Sequence, residues 1–206
     1  MIPAEEALER LRLGNRRFAS NLGGHGILTN QARRDELLAG QEPFAIILGC
    51  SDSRVPLEII FDQGLGDLFV IRVAGNIVAA SQVGSVEFAV EQYKTALVLV
   101  LGHSMCGAVT ATLEELERPT ENRSQNLRSI VDRIRPSVET LMETHLQMQP
   151  AELLHHAIRA NIRVSANQLR HGSRILEEFI RDGRLKIVGA EYSLETGLVD
   201  FFDGVS

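Results

Sequence analysis

The hydrophobic pattern of the chain contains three runs that are apolar at nearly every position, at 44–49, 68–73 and 96–102. Continuous apolar runs of this length are typical of parallel strands covered on both faces, because a half-exposed strand alternates apolar and polar residues. Between the second and third runs, residues 83–94 carry apolar side chains at helical spacing. This β–α–β order predicts two parallel strands joined by a right-handed crossover.

Helical patterns on either side of these strands predict the other elements. Residues 3–20 and 30–39 predict two helices separated by the glycine-rich segment 21–26. This N-terminal arm (residues 1–40) has little core of its own, so we expect it to pack on the rest of the domain or, as we favour, on a partner subunit. Later in the chain, the patterns predict helices at 106–116, 151–169 and 173–181, partly helical structure at 120–150 with breaks at Pro136 and Pro150, and closing strands at 184–192 and 197–201.

These elements predict one α/β domain spanning residues 1–206. It has a mostly parallel central β-sheet flanked by helices, with the N-terminal helical arm at one end and a C-terminal helical and strand extension at the other. The sequence contains no internal repeat, low-complexity tract or clear linker. A chain of 206 residues is long enough to bury a substantial core as a single unit.

The composition narrows the class of protein. Hydrophobic residues make up 44% of the chain, as in soluble globular proteins. The net charge of −6 argues against a nucleic-acid-binding surface. The longest apolar runs fall far short of the ~20 residues that span a bilayer, so no membrane partner is expected. The first residues are acidic and lack an apolar signal segment, so we expect a cytoplasmic location.

Both cysteines of the chain follow predicted strands. Cys50 comes directly after the first apolar run, and the third run is followed by His103 and then Cys106. Because the carboxyl ends of neighbouring parallel strands meet at one edge of a sheet, we expect these side chains to lie close together. Two thiolates and one imidazole suit zinc, and three protein ligands leave a fourth position open for catalysis.

Each of these residues also has an ordinary structural explanation. A single buried cysteine is usually a small core residue, and a histidine after a strand is more often hydrogen-bonded within the fold than bound to metal. Asp52 and Arg54 can form an ion pair that merely stabilises a turn. The metal interpretation depends on the joint placement of these residues. In this interpretation Arg54 keeps Asp52 ionised near the metal, and Gly107 leaves its backbone N–H open to a small anion.

Two motifs, CSDSR at 50–54 and HSMCG at 103–107, together resemble the active site of the β-class carbonic anhydrases. The resemblance continues through 67–76 and 84–90, and it covers residues 40–115 closely. It implies a plant-type-like active site in a chain of bacterial length. The implied activity is that of a zinc lyase, a carbonate dehydratase that reversibly hydrates CO2 to bicarbonate and a proton by zinc-bound hydroxide.

The resemblance also implies roles for particular residues and an assembly. The zinc ligands would be Cys50, His103 and Cys106, and the catalytic dyad would be Asp52 and Arg54, with Asp52 as a fourth ligand if the site is closed. Family members form homodimers, or dimers of dimers, with the site at the subunit interface and the residue matching Phe88 supplied by the partner. The implied substrate-binding residues are Gln41, Phe69 and Phe88, beside the N–H of Gly107.

Two other functions fit the same residues. One is hydrolysis of carbonyl sulfide or carbon disulfide on the same site, which the shape of the pocket would decide. The other is a non-catalytic zinc or redox-binding protein in which Cys50 and Cys106 act as a switch. The Asp52–Arg54 pair argues against the second, because a structural zinc site needs no carboxylate at an open position. If its glycine-rich loop folds towards the site, His25 is a candidate proton shuttle.

Overall fold

A five-stranded sheet forms the centre of the computed structural model, which describes residues 2–24, 29–119, 124–144 and 148–205. The strands run in the spatial order β2-β1-β3-β4-β5, and only the β4–β5 pair is antiparallel. This arrangement confirms the predicted mostly parallel sheet and its C-terminal strands. The strand bounds are β1 Ala45–Gly49, β2 Leu68–Arg72, β3 Leu97–His103, β4 Lys186–Tyr192 and β5 Val199–Asp203.

Helices cover both faces of this sheet. Those of the described residues are α1 Ala4–Ala19, α2 Gln31–Glu36, α3 Leu57–Ile60, α4 Ala80–Tyr93, α5 Gly107–Glu117, α6 Gln125–Thr144, α7 Pro150–His171 and α8 Arg174–Arg181, with short 3-10 turns at Leu37–Ala39 and Ala74–Asn76. Helices α4 to α8 pack on one face and α1 and α3 on the other. The two central strands, β1 and β3, are buried along their whole length, which explains their continuous apolar pattern.

Side chains of the central strands alternate between the two helical layers. Ile46 and Leu48 of β1 belong to the core beneath α4 to α8, whereas Ile47 belongs to the core beneath α1 and α3. Strand β2 lies at the edge of the sheet and is only partly buried. Side chains of β2 are therefore partly available to a second molecule along this edge of the sheet.

The two helices of the N-terminal arm are buried to different degrees. Helix α1 buries Ala7, Leu8 and Leu11 against the sheet of its own chain. Helix α2 buries no residue, and Leu38 after it is 86% exposed. The packing of residues 1–40 on a partner subunit stays a prediction. Within this arm, α2 is the helix whose side chains remain exposed to a partner.

The predicted helix break at Pro136 is wrong. Helix α6 continues through Pro136, whereas the predicted break at Pro150 is confirmed because Pro150 opens α7. A proline inside a helix removes one backbone hydrogen bond. Here Pro136 is exposed while Ile134 and Val138 beside it are buried, so core packing holds the helix together across the missing bond. Among the described helices, none has the length and hydropathy needed to cross a membrane.

Candidate metal centre

The three predicted metal ligands meet at the carboxyl ends of β1 and β3. These strands are adjacent and parallel, so Cys50 just after β1 lies beside His103 at the end of β3. Cys106 is the residue that caps the N-terminus of α5. One ligand atom from each of the three side chains lies within 4.8 Å of the others, and all three residues are buried. Both cysteines are free thiols.

The hydrogen bonding of His103 leaves its other ring nitrogen available. Its Nδ1 lies 2.9 Å from the carbonyl oxygen of Ser104, and a carbonyl can only accept, so Nδ1 carries the proton. Nε2 therefore holds a lone pair, and this fully buried atom has no hydrogen-bond partner in the part of the chain that the structure describes. An unpaired buried acceptor is costly unless something binds it.

A carboxylate oxygen faces the same small space. Oδ2 of Asp52 lies 3.8 Å from Nε2 of His103, which is too long for a hydrogen bond. Two sulfurs, an imidazole lone pair and a carboxylate thus converge on one point, and such a set repels itself unless a cation lies between the atoms. The sulfur and nitrogen donors fit zinc better than a hard cation such as Mg²⁺.

The two thiols influence each other electrostatically. The hydrogen bond with Cys106 lowers the pKa of the Cys50 thiol, against the effect of burial. The same contact, together with burial, raises the pKa of Cys106. The two thiols thus differ in their readiness to lose a proton, and a divalent cation held by both sulfurs would displace the proton of Cys106. The position of Cys106 at the start of α5 favours its thiolate form once the metal is bound, because the positive end of the helix dipole lies there.

Asp52 and Arg54 form a two-pronged ion pair next to the ligands. Oδ1 of Asp52 accepts hydrogen bonds from the backbone N–H of Arg54 at 2.9 Å and from its Nε at 3.0 Å, and Oδ2 accepts from Nη2 at 2.8 Å. These bonds hold the pKa of Asp52 well below its usual range. The carboxylate is therefore ionised at neutral pH and can only accept hydrogen bonds.

Two further contacts fix the loops that carry these residues. Arg72, at the end of β2, donates from Nε to the carbonyl of Cys50 at 3.1 Å and from Nη2 to that of Asp52 at 2.7 Å. Ser104 donates from Oγ to Glu195 at 2.8 Å and accepts from the backbone N–H of Leu194 at 2.9 Å. These contacts hold the first loop to β2 and the second loop to the connection between β4 and β5.

The predicted substrate-binding residues fall into two places. Gly107 is the exposed first residue of α5, beside the metal ligands. Gln41, Phe69 and Phe88 lie instead around Tyr93, at the β2 edge of the sheet. Nε2 of Gln41 donates to the Tyr93 hydroxyl at 2.9 Å. The rings of Phe69, Phe88 and Tyr93, here called the aromatic group, have centroids 5.8–6.2 Å apart.

Comparison with known proteins decides the family. The family model described as "Carbonic anhydrase" matches residues 45–199, which include all of the metal-centre residues described above. The chain belongs to the carbonic anhydrase family. Two mycobacterial relatives support this membership. A carbonic anhydrase of Mycolicibacterium smegmatis is 38% identical over 196 residues, covering 94% of this chain and 91% of the relative. Carbonic anhydrase 2 of Mycobacterium tuberculosis is 38% identical over 191 residues, covering 93% and 89%.

Solved structures of β-carbonic anhydrases share the fold. The β-carbonic anhydrase CcaA superposes with a TM-score of 0.74 at 25% identity, covering 96% of this chain and 92% of that protein. A tetrameric β-carbonic anhydrase of Sordaria macrospora superposes with the same TM-score of 0.74 at 23% identity, covering 84% and 87%. The predicted α/β fold and the resemblance to β-class carbonic anhydrases are therefore confirmed.

Sequence reasoning did not identify three residues that organise the site. Arg72 could have been found, because parallel pairing of β1 and β2 sets it opposite Gly49, one residue before Cys50. Tyr93 had a weaker signal, an aromatic residue at the end of the helix that carries Phe88. Gly75, whose backbone N–H donates to Sγ of Cys50 at 3.3 Å, lies in the segment 67–76 that resembles the family, but its residue type did not indicate a role at the metal centre. The proposed proton shuttle His25 lies outside the described residues.

Proposed function

We propose that this protein is a zinc-dependent carbonic anhydrase that interconverts CO2 and water with bicarbonate and a proton. The observation that carries the proposal is the buried Cys50–His103–Cys106 cluster with the Asp52–Arg54 pair beside it. A structural zinc site uses four protein ligands and needs no ionised carboxylate at its edge. This cluster has three ligands and such a carboxylate, as a catalytic site requires.

In this proposal each side chain has a defined task. Cys50, His103 and Cys106 hold the zinc, which when bound would supply Lewis-acid activation of a water molecule near neutral pH. Arg54 keeps Asp52 ionised, so the carboxylate can only accept hydrogen bonds. A water beside Asp52 therefore directs an O–H at the carboxylate and a lone pair away from it, towards the carbon of CO2. Asp52 is also the group that would act as a fourth ligand in a closed site.

Substrate binding is assigned to Gln41, Phe69 and Phe88, together with the backbone N–H of Gly107. The first three lie at the β2 edge, where Phe88 is 52% exposed. A cleft of about 600 Å³ at this edge is lined by Leu38, Gln41 and Tyr93. Exposed aromatic surface next to an open cleft suits a second copy of the chain. We infer a homodimer or dimer of dimers in which this edge meets the partner's site, and a cytoplasmic location stays part of the proposal.

The proposal is tested by stopped-flow CO2 hydration with zinc-loaded Asp52→Asn. We expect the rate constant kcat to fall by about a hundredfold or more, because the amide can donate a hydrogen bond and no longer fixes the orientation of the water. The matched control is Asp182→Asn. Asp182 also forms an ion pair with an arginine two residues on, Arg184, at 2.9 Å, but on the surface after α8. The control should retain the wild-type rate.

Two results would overturn the proposal. One is a zinc-replete wild-type protein that does not hydrate CO2 at alkaline pH. The other is an equal loss of activity in Asp52→Asn and Asp182→Asn, which would mean that removing any such ion pair damages the protein.

A further inference from the structure

Asn161 interrupts the apolar stripe of α7. Its neighbours on that stripe include Ile158 and Ile162, and Asn161 is only 1% exposed. The Nδ2 of Asn161 donates to the carbonyl of Gly75 at 2.8 Å. The other amide atom, Oδ1, has no hydrogen-bond partner within the described residues. A leucine at this position would leave no amide oxygen unpaired, so the presence of asparagine calls for a reason beyond packing.

The residue that Asn161 holds is in direct contact with a metal ligand. The backbone N–H of Gly75 donates to Sγ of Cys50 at 3.3 Å. Gly75 has φ of +70°, and a Cβ there would lie 2.8 Å from Ile134 and 3.1 Å from Ala108. Glycine is therefore required, and glycine is also the residue with the greatest freedom to rotate away from this conformation.

The close approach of α7 to the sheet makes the contact with Gly75 possible. A Cβ at Gly102 of β3 would lie 2.6 Å from Ile162, and one at Gly189 of β4 would lie 2.9 Å from it. Because both strands have glycine where Ile162 packs, the helix lies directly on the backbone of the sheet. This depth brings Asn161 within hydrogen-bonding distance of the turn at Ala74–Asn76.

We propose that Asn161 is a positioning residue for the metal ligand Cys50. It fixes the peptide that follows Gly75, and this in turn keeps the Gly75 N–H directed at the Cys50 sulfur. An N–H···S hydrogen bond orients the thiolate and withdraws charge from it. The inference rests on the proposed zinc site. It adds that Asn161 of α7, which is distant in sequence from both motifs, helps to determine how that site holds its metal.

The test compares Asn161→Leu with Thr95→Val. Thr95 is also buried and donates one side-chain hydrogen bond of 2.8 Å to a carbonyl, that of Pro43. It precedes β3 and so lies at the opposite end of that strand from His103. Both substitutions nearly preserve shape and remove one buried bond of equal length, so any general loss of stability is matched.

Two measurements are made on each protein. Competition with a chromophoric chelator should show zinc bound about tenfold or more weakly by Asn161→Leu than by wild type, and within about twofold of wild type by Thr95→Val. In the cobalt-substituted protein, the sulfur-to-cobalt charge-transfer band should move to longer wavelength in Asn161→Leu alone. A thiolate that loses a hydrogen bond holds its electrons less tightly, whereas a general loss of stability does not move this band.

Wild-type zinc affinity and an unmoved band in Asn161→Leu would overturn the positioning role while leaving the proposed function intact. Equal weakening in both variants would overturn it too. If Asn161→Leu does not fold, Asn161→Ala removes the same donor with a smaller side chain, and the same two outcomes apply. A wild-type protein that binds no zinc would instead overturn the proposed function itself.

Discussion

At the scale of single residues, the site depends on what each buried polar atom bonds to. The Nδ1 of His103 donates a hydrogen bond to the Ser104 carbonyl, and its fully buried Nε2 has no hydrogen-bond partner within the described residues. A histidine with a purely structural role would be expected to satisfy both nitrogens, because an unpaired buried polar atom costs about 1–3 kcal/mol. The unpaired Nε2 is therefore the feature that best separates a ligand from a core histidine.

Replacement of His103 should remove the metal. We expect wild-type protein to contain one zinc per chain and His103→Gln to lose most of it, because an amide is a poor zinc ligand. His155→Gln, at an exposed histidine on α7, should retain the wild-type zinc content. Elemental analysis of gently purified, folded proteins measures this. Full zinc occupancy in His103→Gln would contradict the assignment of this ligand.

At the scale of elements, the effect of a proline depends on its position in the helix and on the packing around it. Helix α6 contains Pro136, yet it continues because Ile134 and Val138 remain buried on either side. Helix α7 begins with Pro150, where a missing N–H costs nothing since the first turn of a helix has no partner for it. Pro136 therefore costs its helix an interior hydrogen bond, whereas Pro150 costs its helix none.

Alanine substitutions should reveal this difference. Pro136→Ala is expected to raise the free energy of unfolding by about 1–3 kcal/mol, because it restores an interior helical hydrogen bond. Pro150→Ala should change it by less than about 1 kcal/mol, and any change should be a decrease, because the unfolded chain gains freedom. Urea unfolding at one fixed protein concentration measures both. Equal effects of the two substitutions would contradict this account.

At the scale of the whole molecule, the β2 edge of the sheet is the exposed surface to which we propose that a partner subunit binds. Strand β2 forms the sheet edge, and the aromatic group lies beside it with Phe88 half exposed. The proposed assembly would cover this edge and would bring Gln41, Phe69 and Phe88 to a neighbouring metal centre.

A charge placed on this edge should separate the subunits. We expect Phe88→Arg to shift the sedimentation coefficient of the protein to a smaller species, because burying an unpaired arginine in an interface is costly. Leu127→Arg is the control, since Leu127 on α6 is exposed to a similar extent, 56%. The control should sediment as wild type. An unchanged coefficient for Phe88→Arg would exclude this edge as the interface.

Much of the fold follows from local sequence patterns. The continuous apolar runs of β1 and β3 predicted strands that are buried on both faces beneath helices, whereas the run at 68–73 forms the edge strand β2, which is only partly buried. The placement of Cys50 and His103 directly after two of these runs predicted the cluster, because the carboxyl ends of neighbouring parallel strands lie side by side. Periodicity and spacing were sufficient for both inferences.

The helix through Pro136 and the contacts around the metal ligands were decided by tertiary structure alone. Gly75 donates to the sulfur of Cys50, and Asn161 reaches Gly75 from a helix that begins 100 residues later in the chain than Cys50. Sequence by itself determined which residue types follow which strands. It could not determine that α7 reaches this turn, because the contact depends on how closely α7 packs on the sheet, and Gly102 and Gly189 on two separate strands allow that close packing.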